Sequence, residues 1–303
     1  LEKVIGWVLV EASKQQKDRR GAWRLVCPVW PRYLEVLEKR RDVFPVFNLA
    51  HLGRFTDEEG RWAVVKRAEA IGQAMDEHRA AAIAKSLGND PLLIGLHDLT
   101  GEANASSVLE RYVADKLAQV ANRIERFPAE VEAAVSAFVL EMLSRRKLNP
   151  SWLEAMQWFP ELEMVSILRT VVLDGSVLRL SGAGDRRTID ARHDRVMNFL
   201  MAHALADKFD SNAVNADYLR DPFFAESVGT AALRAELPAD SLFALMENSP
   251  AAALFALKAA VEGDHTYQNT AVAAIETWLA KPETALSDFA NRRFAAMLVL
   301  AEI

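Results

Sequence analysis

The chain has 303 residues, of which 51% are hydrophobic and 26% are charged, which is typical of a globular protein with a sizeable core. No apolar run approaches the ~18 residues that a membrane-spanning helix needs. The single cysteine, Cys27, excludes a disulfide framework, and the formal net charge of −6 argues against non-specific binding to nucleic acid. We therefore expect a soluble cytoplasmic protein of about two or three domains.

Residues 1–50 alternate between helical and strand-like patterns. Residues 23–29 form a near-continuous apolar run, which is typical of a buried parallel strand. Residues 43–49 are a second candidate strand, and Pro45 favours an edge position for it. Two parallel strands cannot bury both of their faces alone, so we expect this segment to be the C-terminal part of an α/β domain that begins upstream of Leu1.

Residues 51–127 are predicted to form a small helical domain. Thr56 and Glu59 have the spacing of a capping box, in which the two side chains satisfy free amides at a helix start. Ser107 and Glu110 have the same spacing and predict a second helix start.

Residues 128–207 are predicted to contain three helices and a hairpin. Pro128 suits a first helical position, and Asn149-Pro150 predicts the start of the next helix. The helices are expected at about 128–148, 149–159 and 161–173. Residues 177–180 and 187–190 flank a glycine-rich loop and predict an antiparallel hairpin. Such an order is typical of a winged-helix domain.

Residues 208–303 are alanine-rich and predicted to be wholly helical. Asp221-Pro222 and Ser249-Pro250 are typical helix starts. Short helices that follow one another with brief breaks favour a stack of helical hairpins, similar to HEAT repeats, although no clean repeat period is present. The predicted fold class is thus mainly α, with the remnant of an α/β domain at its start.

The order of these pieces resembles the STAND signalling NTPases, the group that includes NACHT and NB-ARC proteins, over about residues 1–207. In that family, the strand that corresponds to residues 23–29 follows the Walker B strand of the nucleotide-binding domain and ends in an arginine near the terminal phosphate. Here Pro28-Val29-Trp30 replaces that ending, and Arg32 is the nearest arginine. The alternative is an ordinary core strand, and the departure from the family's ending favours it.

Two further stretches carry the resemblance. Residues 88–91 have the sequence Gly-Asn-Asp-Pro, and the resemblance implies that Pro91 packs against adenine; the alternative is a simple helix-stop turn. Arg192-His193-Asp194 is similar to the MHD motif, in which the histidine contacts the β-phosphate of ADP. Asp194 would cap the following helix or orient the imidazole ring. The alternative is a solvated helix start in a basic loop.

The chain lacks a complete catalytic site. No glycine is followed by lysine, so a G-x-x-x-x-G-K-[ST] phosphate loop is missing, and so is a Walker B acidic pair. The resemblance implies that the intact parent is an ATPase that holds ADP or ATP with Mg, and that the phosphate loop lies upstream of Leu1. His97-Asp98 and His203 have no nucleophile at a suggestive spacing, which favours structural or surface roles.

The resemblance predicts the regulatory and sensor part of an ATP-binding signal-transduction switch. Such proteins serve bacterial antiviral defence or transcriptional control, and both stay open here. A protein ligand would bind the C-terminal helices and the activated protein would form a homo-oligomer, without a membrane. One alternative is a helical protein-interaction scaffold without nucleotide switching. Another is a winged-helix regulator that binds nucleic acid, which Glu154 and Glu161 around the helix at 149–159 disfavour.

Overall fold

The structure is a computed structural model, and it describes residues 53–101, 103–182, 187–210, 219, 221–262 and 266–280. The chain divides into two compact units, Leu1–Gly53 and Arg54–Ile303, and all described elements belong to the second unit. The strands predicted at 23–29 and 43–49, together with Arg32, lie outside the described residues.

The described part of the chain is mainly helical, with a single two-stranded sheet, which confirms the predicted mainly-α class. Before the sheet lie α1 (Asp57–Ala70), α2 (Glu77–Ser86), α3 (Pro91–Leu96), α4 (Ala105–Arg123), α5 (Pro128–Ser144), α6 (Trp152–Trp158) and α7 (Leu162–Asp174). The sheet consists of β1 (Leu178–Ser181) and β2 (Thr188–Ala191). It is followed by α8 (Asp194–Asp210), the short 3₁₀ helix Pro222–Phe224, α9 (Ala225–Arg234), α10 (Ala239–Asn248), α11 (Pro250–Glu262) and α12 (Gln268–Ala280). None of these helices is long and apolar enough to cross a membrane.

Helix starts follow side-chain chemistry, although not always at the predicted residue. The Thr56–Glu59 capping box is present, with the Glu59 carboxylate 2.8 Å from the Thr56 amide. The predicted box at Ser107 and Glu110 is wrong. Asn104 caps α4 instead, because its side-chain oxygen accepts a hydrogen bond from the Ser107 amide at 2.8 Å. Asparagine caps as well as serine does, and here it begins the helix earlier.

The start of α6 also differs from its prediction. Ser151 and Glu154 form the capping box, so the helix begins just after the Asn149-Pro150 pair that was expected to open it. The Pro150 carbonyl instead accepts a hydrogen bond from the Ile189 amide at 2.8 Å, and Ser151 forms an antiparallel bridge with Thr188. The chain before α6 therefore lies along β2.

The predicted antiparallel hairpin is confirmed. Its register runs from Leu178 opposite Ala191 to Ser181 opposite Thr188, so the strands lie one residue beyond the predicted 177–180 and 187–190. Leu178 and Ile189 are buried against the helices, which explains the register: a slip by one residue would expose both.

One hydrophobic core runs through the helices on both sides of the hairpin. Its largest fully buried side chains include Leu93, Phe138, Met142, Leu178, Met201, Leu205, Leu242 and Leu254. One face of α5 is buried in this core and includes Val131, Val135, Phe138 and Met142. Beyond the hairpin, α8 packs on α9 and α9 packs closely on α11. An alanine-type Cβ at Gly229 of α9 would lie 2.8 Å from the Ala256 amide nitrogen, so only glycine allows this approach.

Candidate functional site

The turn that follows α2 is built from two residues in the left-handed region. Gly88 has φ 61° and Asn89 has φ 54°, and both amides bond back to the last turn of α2. The Asn89 side chain donates a hydrogen bond to the Asp57 carboxylate at 2.6 Å, and the Asn89 carbonyl accepts one from the Phe55 amide at 2.8 Å. The turn is thus fixed against the start of α1.

Asp90 and Pro91 open the short helix α3. The Asp90 carboxylate accepts hydrogen bonds from the Leu92 amide at 2.9 Å and the Leu93 amide at 3.1 Å. Pro91 occupies the first helical position, where its missing amide costs nothing, and its ring is exposed. Asp90 itself is buried, so the turn presents an apolar proline ring beside a buried carboxylate.

The start of α8 lies directly after the hairpin. The His193 carbonyl accepts hydrogen bonds from the Val196 and Met197 amides, and its ring Nδ1 accepts one from the Arg195 amide at 3.2 Å. An Nδ1 that accepts a hydrogen bond leaves the proton of a neutral ring on Nε2. The neutral His193 ring therefore carries its proton on Nε2, at the positive end of a helix.

An ion pair joins these two segments, which are far apart in the sequence. The Arg195 guanidinium lies 2.8 Å from the Asp90 carboxylate, and the side chains are 38% and 11% exposed, respectively. Because Asp90 precedes Pro91 and Arg195 follows His193 by two positions, the pair brings the proline turn and the histidine helix start together.

The predicted site residues are placed as follows. Pro91 and His193 lie on the two segments that the Asp90–Arg195 pair joins, while Arg32 is outside the described residues. The expected capping role of Asp194 is wrong, because α8 begins at Asp194 and the capping hydrogen bonds go to the preceding histidine.

Asp194 nevertheless acts electrostatically on the hairpin. Burial raises the pKa of the Asp190 carboxyl on β2, and the negative charge of Asp194 adds to that rise. Asp194 is therefore close enough to β2 for its charge to act on Asp190.

Comparisons of the chain with protein-family models, with curated proteins and with solved structures found no match in any of the three. Among the residues that the structure describes, no group of three or more His, Cys, Asp and Glu side chains is arranged to hold a metal ion.

The joined segments have the chemistry to bind a molecule with an apolar ring and an anionic group. Pro91 supplies a flat apolar surface. The positive end of α8, beside the His193 ring and the cationic Arg192, favours an anion. Sequence reasoning found the proline and the histidine, but missed Asp90 and Arg195 as the residues that connect them. The one available signal was a carboxylate beside the proline and an arginine beside the histidine.

Proposed function

We propose that this chain is the regulatory and sensor part of a STAND-type nucleotide-dependent signalling switch. The turn at Pro91 contacts adenine, and the start of α8 at His193 contacts the β-phosphate of ADP. The nucleotide then holds the helical region around α3 and the region around the hairpin in one closed arrangement.

The Asp90–Arg195 ion pair is the observation that carries this proposal. The family resemblance requires the proline turn and the histidine motif to lie close together. The two segments are far apart in the sequence, so sequence proximity does not account for a contact between them. The ion pair supplies that contact at 2.8 Å.

The surroundings of the hairpin support the same proposal. Three helices, α5 to α7, precede the β1–β2 hairpin, and the chain before α6 pairs with β2 through Pro150 and Ser151. This is the arrangement expected of a winged-helix domain, in which His193 follows the wing directly.

Nucleic-acid binding by α6 is disfavoured by the charges on that helix. Glu154 is paired with Lys147, and its hydrogen bonds to Lys147 and Ser151 lower the pKa of the carboxyl to about 2, so that it is ionised at neutral pH. Arg145, which directly follows α5, contacts Glu141 and lies 5.2 Å from the centre of the Trp158 ring. These cations serve contacts within the protein.

Photoaffinity labelling of the chain with 8-azido-ADP tests the proposal. We expect label in the peptide that contains Pro91, with protection by unlabelled ADP. His193→Ala removes one hydrogen bond to a charged group, worth about 2 kcal/mol, and should reduce ADP-protected labelling by about tenfold or more.

The matched control is His203→Ala, which removes a histidine from the same helix, α8, away from its start. Labelling of this variant should equal that of the wild type. Equal labelling of folded His193→Ala and wild type, or labelling that ADP does not reduce, would refute the proposed site. A helical scaffold without a nucleotide switch would then be the better description.

A further inference from the structure

A cavity of about 300 Å³ lies between α1, the end of α3 and α4, apart from the proposed nucleotide site. It is at the small end of the range for pockets that bind metabolite-sized ligands. Polar and charged side chains line much of it, and the ones that matter here are Arg67, His97, Asp98, Arg111, Asp115 and Lys116.

His97 contributes a buried donor without an acceptor. The residue is 1% exposed, and its Nδ1 accepts a hydrogen bond from the Leu99 amide at 3.1 Å. The neutral ring therefore carries its proton on Nε2. That Nε2 is buried and has no hydrogen-bond partner among the described residues. A buried donor without a partner costs free energy and calls for an explanation.

Arg67 contributes a second such donor. Its Nη1 donates to the Gly95 carbonyl, whereas its Nε is buried and has no partner within the described part of the chain. Burial lowers the pKa of this guanidinium, and the charge of Asp98 opposes that effect from beyond ion-pair distance. The cation thus lacks a carboxylate partner of its own among the described residues.

Asp98, whose charge acts on Arg67, forms its hydrogen bonds with other groups. Burial opposes ionisation of Asp98, but the Thr100 and Gly101 amides and the Arg111 guanidinium bond to it and hold its pKa well below the usual range. Three cationic side chains, those of Arg67, Arg111 and Lys116, face two carboxylates in the cavity. The balance of charge is positive.

We infer that this cavity is a binding site for a small anion, a carboxylate- or phosphate-bearing molecule, which accepts hydrogen bonds from His97 Nε2 and Arg67 Nε. Arg67 and His97 both line this cavity, and one anionic group that reaches both donors would satisfy them. Lys116 is a further cation in the lining and adds long-range attraction. This inference is independent of the proposed nucleotide function.

The test measures binding to the whole chain by isothermal titration calorimetry and by NMR of ¹⁵N-histidine-labelled protein. The probes are inorganic phosphate and succinate at up to about 10 mM, with succinamide as the neutral analogue of succinate and sodium chloride at matched ionic strength. We expect phosphate or succinate to bind and to shift the His97 Nε2–H signal. Arg67→Gln should weaken binding by about tenfold, and Lys116→Gln, which removes only a long-range attraction, by about threefold.

Arg61→Gln is the matched control, because Arg61 lies on the same helix and pairs with Glu77 outside the cavity. It should bind like the wild type. A response to phosphate alone identifies a phosphate-bearing ligand, and a response to succinate alone identifies a carboxylate. If neither anion exceeds the chloride and succinamide controls, the inference is wrong. It is also wrong if Arg67→Gln and Lys116→Gln both bind like Arg61→Gln.

Discussion

The contact between Asp90 and Arg195 predicts a measurable coupling between α3 and α8. Two unit charges about 4 Å apart interact by about 4 kcal/mol at an effective dielectric constant of 20. Arg195 is 38% exposed and therefore partly screened, whereas Asp90 is only 11% exposed. Exposed pairs contribute about 0.2–1 kcal/mol, so for this intermediate pair we expect a coupling free energy of about 1–2 kcal/mol.

A double-mutant cycle with Asp90→Asn and Arg195→Gln isolates this free energy. Asparagine retains the cap of α3, because its side-chain oxygen can still accept from the Leu92 and Leu93 amides. Native-state hydrogen exchange of the Leu93 amide reports the free energy of local opening, and loss of the pair should speed that exchange by about tenfold.

Arg192→Gln is the control for this cycle, since Arg192 lies beside His193 but contacts the Gly175 carbonyl instead. It should leave exchange at Leu93 unchanged. A coupling free energy below about 0.5 kcal/mol, within the range of ordinary additivity, would show that the pair does not hold the two segments together. The proposed nucleotide site would then lose its main support.

Three other predictions concern packing, pH and activity. Gly229→Ala should lower the free energy of unfolding by about 3 kcal/mol in urea denaturation, because the new Cβ meets the α11 backbone at Ala252 and Ala256. The free energy of unfolding should decrease as the pH is lowered from 4.5 to about 2, because folding lowers the pKa of Glu154 from 4.5 to about 2. The ionised carboxylate stabilises the fold fully above pH 4.5, and this contribution is lost as the pH falls through the folded-state pKa. The chain alone should not hydrolyse ATP above background, since positioning and charge stabilisation of the phosphates need the missing loop.

Each of these predictions has its own control. Gly95→Ala introduces a Cβ with nothing within 4 Å and should leave stability the same or slightly higher; equal loss in the two variants would contradict the packing argument. Glu154→Gln should flatten the acid dependence in CD-monitored unfolding, and an unchanged profile would mean that other carboxyls dominate. Phosphate release that a point substitution in this chain abolishes would contradict the prediction that the chain lacks a complete catalytic site.

Helix starts and the hairpin could be predicted from the sequence because they depend on local chemistry. Long-range contacts could not be predicted in this way. The Thr56 box and the hairpin depend on neighbours in sequence and were placed within about a residue. At Ser107 the same reasoning failed because Asn104 competes for the cap. The partnership of Asp90 with Arg195 depends on how helices pack, and no period or motif encodes it. The cavity at His97 was not predicted for the same reason. The donor without a partner at His97 is recognised only once the ring is known to be buried.

The shortness of α3 has a mechanical consequence. The helix has six residues, so its ends lie about 9 Å apart. Pro91 stands at one end, and His97 follows the other. A helix of six residues is too short to bend in the middle, so a tilt of α3 displaces Pro91 and His97 together. If the cavity and the nucleotide site are both occupied, α3 couples them. An anion that changes the affinity for ADP by some factor then has its own affinity changed by ADP by the same factor.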